Sequence, residues 1–112
     1  MLTILHNPRC SKSRQTLQLI ENANAEVEVV EYLKQPLSEQ ELRDVASKLG
    51  AAPLEMMRTK EAEFKEQNLK GADDDTLFSA MATTPKLMER PIVIKGDKAI
   101  IGRPPENVEA LL

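Results

Sequence analysis

Strand-forming sequence occurs only at the two ends of this 112-residue chain. At the N-terminal end, TILH (3–6) reads as a short buried strand stopped by Asn7-Pro8. EVEVVEYL (26–33), rich in β-branched residues, reads as a second. Between them, residues 11–23 read as a helix with Leu17 and Ile20 on an inward stripe and Ser11 and Ser13 in its first turn. At the C-terminal end, IVIK (92–95) and KAII (98–101) flank Gly96-Asp97, a two-residue hairpin turn. Gly102 and Pro104-Pro105 then end the hairpin and start a short terminal helix. A β-α-β unit has parallel strands and a right-handed crossover, whereas a two-residue turn leaves its strands antiparallel. A sheet drawing on both ends is therefore mixed.

The middle of the chain reads as helix throughout. Pro36 breaks the strand, and Ser38-Glu39-Gln40-Glu41 is a capping box ahead of Leu42, Val45, Ala46 and Leu49 at helical spacing, with Gly50 as the stop. Residues 53–58 suggest a short helix begun by Pro53. Residues 60–68 and 74–83 are expected to be helical, with Phe64, Leu77, Phe78 and Met81 inward, and Thr84-Pro85 suggests one further turn. No linker separates this stretch, so residues 1–112 are expected to form a single domain with a helical insert at about 37–89. The resulting order is an α/β fold with β-α-β and β-β-α halves and a four-stranded mixed sheet. This is the outline of the thioredoxin/glutaredoxin-like fold, with the insert between its halves.

Composition narrows the function. Fifteen Lys and Arg against eighteen Asp and Glu give a net charge of −3, which does not hold a chain to nucleic acid. One Cys and one His exclude an internal disulfide, a CxxC redox pair and a four-ligand structural zinc site. No apolar run approaches the ~20 residues of a membrane span. The N-terminus lacks the basic region of a secretory signal, so a cytoplasmic chain away from membranes is expected. The charge is unevenly spread. Residues 6–14 hold Arg9, Lys12 and Arg14 and no acid, and residues 86–103 hold five bases against two acids. These are either solvated faces or two basic segments that converge on one anion.

Cys10 follows a strand and a loop and opens a helix. The first-turn N–H groups, the positive end of the helix dipole and the neighbouring cations all favour its thiolate, which is the nucleophilic form. The same N–H groups can cradle an oxyanion. The other fate of a lone cysteine is a buried structural thiol, but Cys10 sits among polar residues.

His6-Asn7-Pro8-Arg9-Cys10-Ser11-Lys12-Ser13-Arg14 resembles the H-N-P-x-C-x-x-S-R loop of the glutaredoxin-linked arsenate reductase (ArsC) family. Arg90-Pro91-Ile92-Val93 resembles that family's R-P-I-V stretch before the hairpin, and Gly102-Arg103-Pro104 its arginine-proline after it. The resemblance runs from end to end of the chain, closest to a shorter branch of the family. It implies arsenate as substrate, held by Arg58, Arg90 and Arg103. Cys10 attacks arsenic, glutathione attacks the adduct as cosubstrate, and glutaredoxin takes over the glutathione. No bound cofactor or metal is implied. Independently of the family, a chain with one cysteine needs an external thiol to resolve any adduct.

Supporting residues carry two readings each. His6 is a hydrogen-bonded strand-end residue or an imidazolium lowering the thiol pKa. Ser13 caps the helix or, by resemblance, hydrogen-bonds the thiolate, and Arg14 pairs with an acid or contacts the anion. Pro91 is a strand-edge proline or, by resemblance to the thioredoxin fold, a cis-proline facing the cysteine. Two other functions remain open: a thiol oxidoreductase of the same fold with a different substrate, and a Spx-type regulator binding RNA polymerase. Spx-type proteins use Cys-x-x-Cys as a switch, and here the second position is Ser13.

Overall fold

Strand β1 (Leu2–Leu5) lies inside the sheet because its neighbours come from both ends of the chain. It pairs in parallel with β2 (Val27–Val30), from Leu2 opposite Val27 to Leu5 opposite Val30. It pairs antiparallel with β3 (Ile92–Lys95), Ile4 opposite Val93. Strand β4 (Lys98–Ile101) completes the hairpin, and the strand order is β2-β1-β3-β4. Gly96 takes φ +60° in the hairpin turn, a conformation that glycine adopts without steric cost. The computed structural model describes all 112 residues. It divides into two compact units, Met1–Gln35 with Arg90–Leu112, and Pro36–Glu89.

In the first unit, helix α1 (Ser11–Asn22) joins the parallel strands. Leu2, Ile4, Ile20, Val93, Val108 and Leu111 form one buried cluster, uniting β1, α1, β3 and the terminal 3-10 helix Pro105–Leu111. Alternation along β1 and β3 turns these side chains to the same face. Strand β2 is four residues, shorter than the eight of the sequence expectation. The N–H groups of Lys34 and Gln35 both donate to the Glu31 carbonyl at 2.9 Å, which closes a turn and takes Tyr32 into the interior.

In the second unit, α2 (Glu39–Leu49), α3 (Ala62–Glu66) and α4 (Asp74–Thr83) supply Leu42, Val45, Phe64, Leu77, Phe78 and Met81 to the interior with Met56, Met57, Leu87 and Met88. The expected helix at 53–58 is only a 3-10 turn, Pro53–Met56. Met57 leaves it to form a β-bridge with Met88, and the Arg58 N–H donates to the Leu87 carbonyl at 2.7 Å. That extended pairing satisfies the backbone groups that a longer helix would have paired. No helix is long and apolar enough to cross a membrane.

The capping box at α2 forms as its sequence implies. Ser38 Oγ accepts from the Glu41 N–H at 3.1 Å, and Glu41 Oε1 accepts from the Ser38 N–H at 3.0 Å. Ser38→Ala should lower stability by about 1 kcal/mol, read as an earlier midpoint in urea. An unchanged midpoint would show that the cap is satisfied equally well by water.

Candidate active site

Helix α1 differs from the other long helices in how it begins. Helix α2 is capped by Ser38 with Glu39 and Glu41 in its first turn, and α4 by Asp73 with Asp74 and Asp75. Helix α1 has Cys10 at its N-cap, no side-chain capping bond and no acid in its first turn. Its free N–H groups and its dipole therefore face the cysteine sulfur instead of a carboxylate. Cys10 has extended backbone at φ −93° and ψ 122°, and its carbonyl accepts the Arg14 N–H at 3.0 Å, the first bond of the helix.

The loop before the helix is held by its own polar groups. Asn7 Oδ1 accepts from the Arg9 N–H at 3.0 Å, and the Cys10 N–H donates to the Asn7 carbonyl at 3.0 Å. Arg14 donates through Nη1 to the Pro8 carbonyl at 3.0 Å, so it ties the loop to the helix. The Ser13 hydroxyl is buried. Its Oγ accepts from the Asn7 N–H at 3.0 Å and lies 2.7 Å from His6 Nδ1. With Oγ already accepting from Asn7, the arrangement that uses every group has the Ser13 O–H donating to Nδ1, which leaves the His6 proton on Nε2.

Cys10 is partly exposed and is a free thiol. Burial alone would push its pKa up. The Ser13 backbone N–H, the charge of Arg90, the Lys12 backbone N–H and the Arg103 side chain outweigh that, and the thiol is held below its ordinary range. It is thus the backbone of Ser13 that faces the sulfur, while its hydroxyl turns to His6. Arg103 Nη1 lies 3.8 Å from Cys10 Sγ and also donates to the Arg90 carbonyl at 3.1 Å. The Arg90–Pro91 peptide bond is cis, as is Arg103–Pro104. Iodoacetamide alkylation follows the thiolate fraction, so its midpoint should fall below the free-thiol value of about 8.5. An unshifted midpoint would remove the argument for an activated nucleophile.

Burial lowers the His6 pKa; the charge of Glu31 opposes this and that of Arg14 adds to it. The direction of the shift favours the uncharged ring, hydrogen-bonded to Ser13 at the strand end. The folded pKa lies below the unfolded one, so the unfolded chain takes up the proton first as pH falls. Stability should therefore fall on acidification from about pH 6.5 down to the folded value, and His6→Gln should reduce this slope in thermal melts taken between pH 7 and 5.

The structure brings His6, Cys10, Ser13, Arg14, Arg90, Pro91 and Arg103 together in the first unit. Arg58 belongs to the second, where it is ion-paired with Glu61; Lys86 Nζ lies 3.6 Å from the same carboxylate and 3.4 Å from that of Glu63. No three His, Cys, Asp or Glu side chains are grouped as a metal site requires. Glu61, Asn7 and Thr16 were not singled out by the sequence. Thr16 had a signal: Ser13, Thr16 and Ile20 are the buried positions of α1, and two polar residues on an inward stripe imply buried hydrogen-bond partners.

The strand order and the single cysteine at a helix start define a thioredoxin-like protein with one free thiol beside Arg103. The ArsC family profile matches residues 5–111. An arsenate reductase of Neisseria meningitidis serogroup A is 48% identical over 114 residues, covering 99% of this chain and 97% of that one. Escherichia coli K12 has the uncharacterized protein YfgD, 51% identical over 108 residues, covering 94% and 91%. The solved structure of an arsenate reductase from Vibrio cholerae superposes with a TM-score of 0.95 at 47% identity, covering 99% and 97%. The chain belongs to the ArsC family.

Proposed function

We propose that this protein is a cytoplasmic arsenate reductase in which Cys10 is the nucleophile and glutathione and glutaredoxin supply the reducing thiols. The observation that carries the reading is the Arg103 guanidinium at the Cys10 sulfur, on a helix start free of acids. Relatives named arsenate reductase that match nearly the whole chain support it.

The chemistry suits these residues. Arsenate is a tetrahedral oxyanion, and a thiolate approaching it meets charge repulsion. Arg90 and Arg103, with Arg58 added by the family resemblance, hold the oxygens in planar donor forks and offset that repulsion. The Cys10 sulfur forms a bond to arsenic(V) as one oxygen leaves, protonated, as water. Glutathione displaces a second oxygen in the same way. The glutaredoxin thiolate then takes the glutathione sulfur as a mixed disulfide, and the electron pair of the broken arsenic–sulfur bond stays on arsenic, giving arsenic(III). Hydrolysis of the remaining bond releases arsenite and regenerates the Cys10 thiol. His6 and Ser13 fix the loop that carries the nucleophile, and Arg14 and Pro91 hold its surroundings.

The test is arsenate-dependent NADPH oxidation coupled through glutathione, glutaredoxin and glutathione reductase. Turnover that needs all three reaction components, arsenate, glutathione and glutaredoxin, supports the reading. Glutathione-dependent reduction of other substrates without arsenate turnover would favour a different substrate for the same fold.

A further inference from the structure

The segment that carries Arg103 meets α1 at a narrow place. Thr16 lies six residues beyond Cys10 on the same helix and is fully buried. Its Oγ1 donates to the Lys12 carbonyl at 2.8 Å and lies 3.4 Å from the Gly102 carbonyl. Gly102 is seated between Thr16 and Pro91. A Cβ at this position would stand 2.7 Å from Thr16 Oγ1, 2.9 Å from Pro91 Cγ and 3.1 Å from Thr16 Cγ2. The first two are closer than a side-chain carbon approaches its neighbours, and the third is tight enough that Thr16 would have to shift. Gly102 is not among the residues with positive φ, so space and not backbone freedom demands a glycine here. Its N–H donates to the Pro91 carbonyl at 2.9 Å, and the next residue is Arg103.

We propose that Gly102 and Thr16 are positioning residues for the Cys10–Arg103 pair: the bare backbone at 102 lets the Arg103 segment seat directly on α1, and Thr16 is the surface it seats on. Cys10 and Thr16 ride on one helix, so a fixed distance between Thr16 and Gly102 fixes where Arg103 stands relative to the sulfur. The guanidinium contact is at the long end of a hydrogen bond to sulfur, 3.8 Å, so a small outward shift of the segment breaks it. The proposal deepens the reading of Cys10 and Arg103 as one reactive site and rests on it. It names two residues that act through Arg103.

The readout is the thiol titration midpoint, from the pH dependence of iodoacetamide alkylation of the full chain, with no arsenate present. Arg103→Ala should raise the midpoint by up to about one pH unit. Gly102→Ala should raise it by a similar amount, and adding Arg103→Ala to Gly102→Ala should add little. Thr16→Ala in the Gly102→Ala background removes two of the three close contacts. It should bring back part of the lowered midpoint and its dependence on Arg103, which a merely structural role would not predict. A wild-type midpoint in Gly102→Ala overturns the proposal, as does an undiminished Arg103 effect in that background. If Gly102→Ala alone does not fold, the Thr16→Ala/Gly102→Ala chain decides: a midpoint that no longer depends on Arg103 overturns it. A midpoint unmoved by Arg103→Ala in the wild-type background removes the Cys10–Arg103 reading itself, which separates that failure from a failure of positioning alone.

Discussion

Cys10→Ser is expected to abolish arsenate turnover, with a loss on the order of 10⁴-fold or more, the scale seen when a covalent nucleophile is removed. The chain contains no other cysteine, so nothing can take over the step. A serine hydroxyl at the same N-cap would stay protonated at neutral pH, since the N–H groups and arginines that lower a thiol pKa cannot bring a hydroxyl near 7. The fold should be unaffected, because Cys10 makes no side-chain capping bond that the helix relies on. The measurement is coupled NADPH oxidation at saturating glutathione and glutaredoxin, with a thermal melt beside it. Turnover at the wild-type level in a folded Cys10→Ser protein would falsify the mechanism.

Arg90→Lys and Arg103→Lys are expected to lower kcat/KM for arsenate by about 10²-fold or more while leaving thermal stability nearly unchanged. Lysine keeps the charge, so long-range attraction of the anion survives. It lacks the planar fork, so two oxygens can no longer be held in one orientation. Arg103→Lys should also move the thiol midpoint upward, because its Nη1 contact to the sulfur is lost. Arg90→Lys should be the more damaging for turnover, because Pro91 restricts the backbone immediately after it. Lys98→Ala, an exposed cation at the start of β4, is the comparison for charge alone and should cost far less. If both arginine variants turn over arsenate like wild type, the anion site is elsewhere and the family likeness describes only the fold. Arg58→Lys carries a further consequence: its guanidinium is paired with Glu61, so it should change turnover only if the oxyanion competes for the same group.

Much of this protein was legible in local sequence. The hairpin at Gly96-Asp97, the capping box at Ser38 and the helix over 74–83 all appear as read, because each depends on residues within a few positions of one another. The position of Cys10 was equally local: a loop, a helix start and a stretch without acids are visible in nine residues. Where the expectations missed, contacts from outside the segment decided. The 53–58 helix gave way to a bridge between Met57 and Met88, and the second strand was cut short by a turn that buries Tyr32.

The sequence by itself determined the order of strands and long helices and placed the single thiol at a helix start, since spacing and capping act over one or two turns. Only the tertiary structure decided what surrounds that atom. Arg103 stands 93 residues from Cys10 in the chain and reaches it because β3 returns beside β1 and β4 pairs with β3. Ser13 could cap its helix or bond the thiolate, and the buried ring of His6 took its hydroxyl instead. Gly102 reads in the sequence as the end of the hairpin, and only the fold shows how little room its position leaves, because Thr16 and Pro91 set it and no local pattern records their proximity.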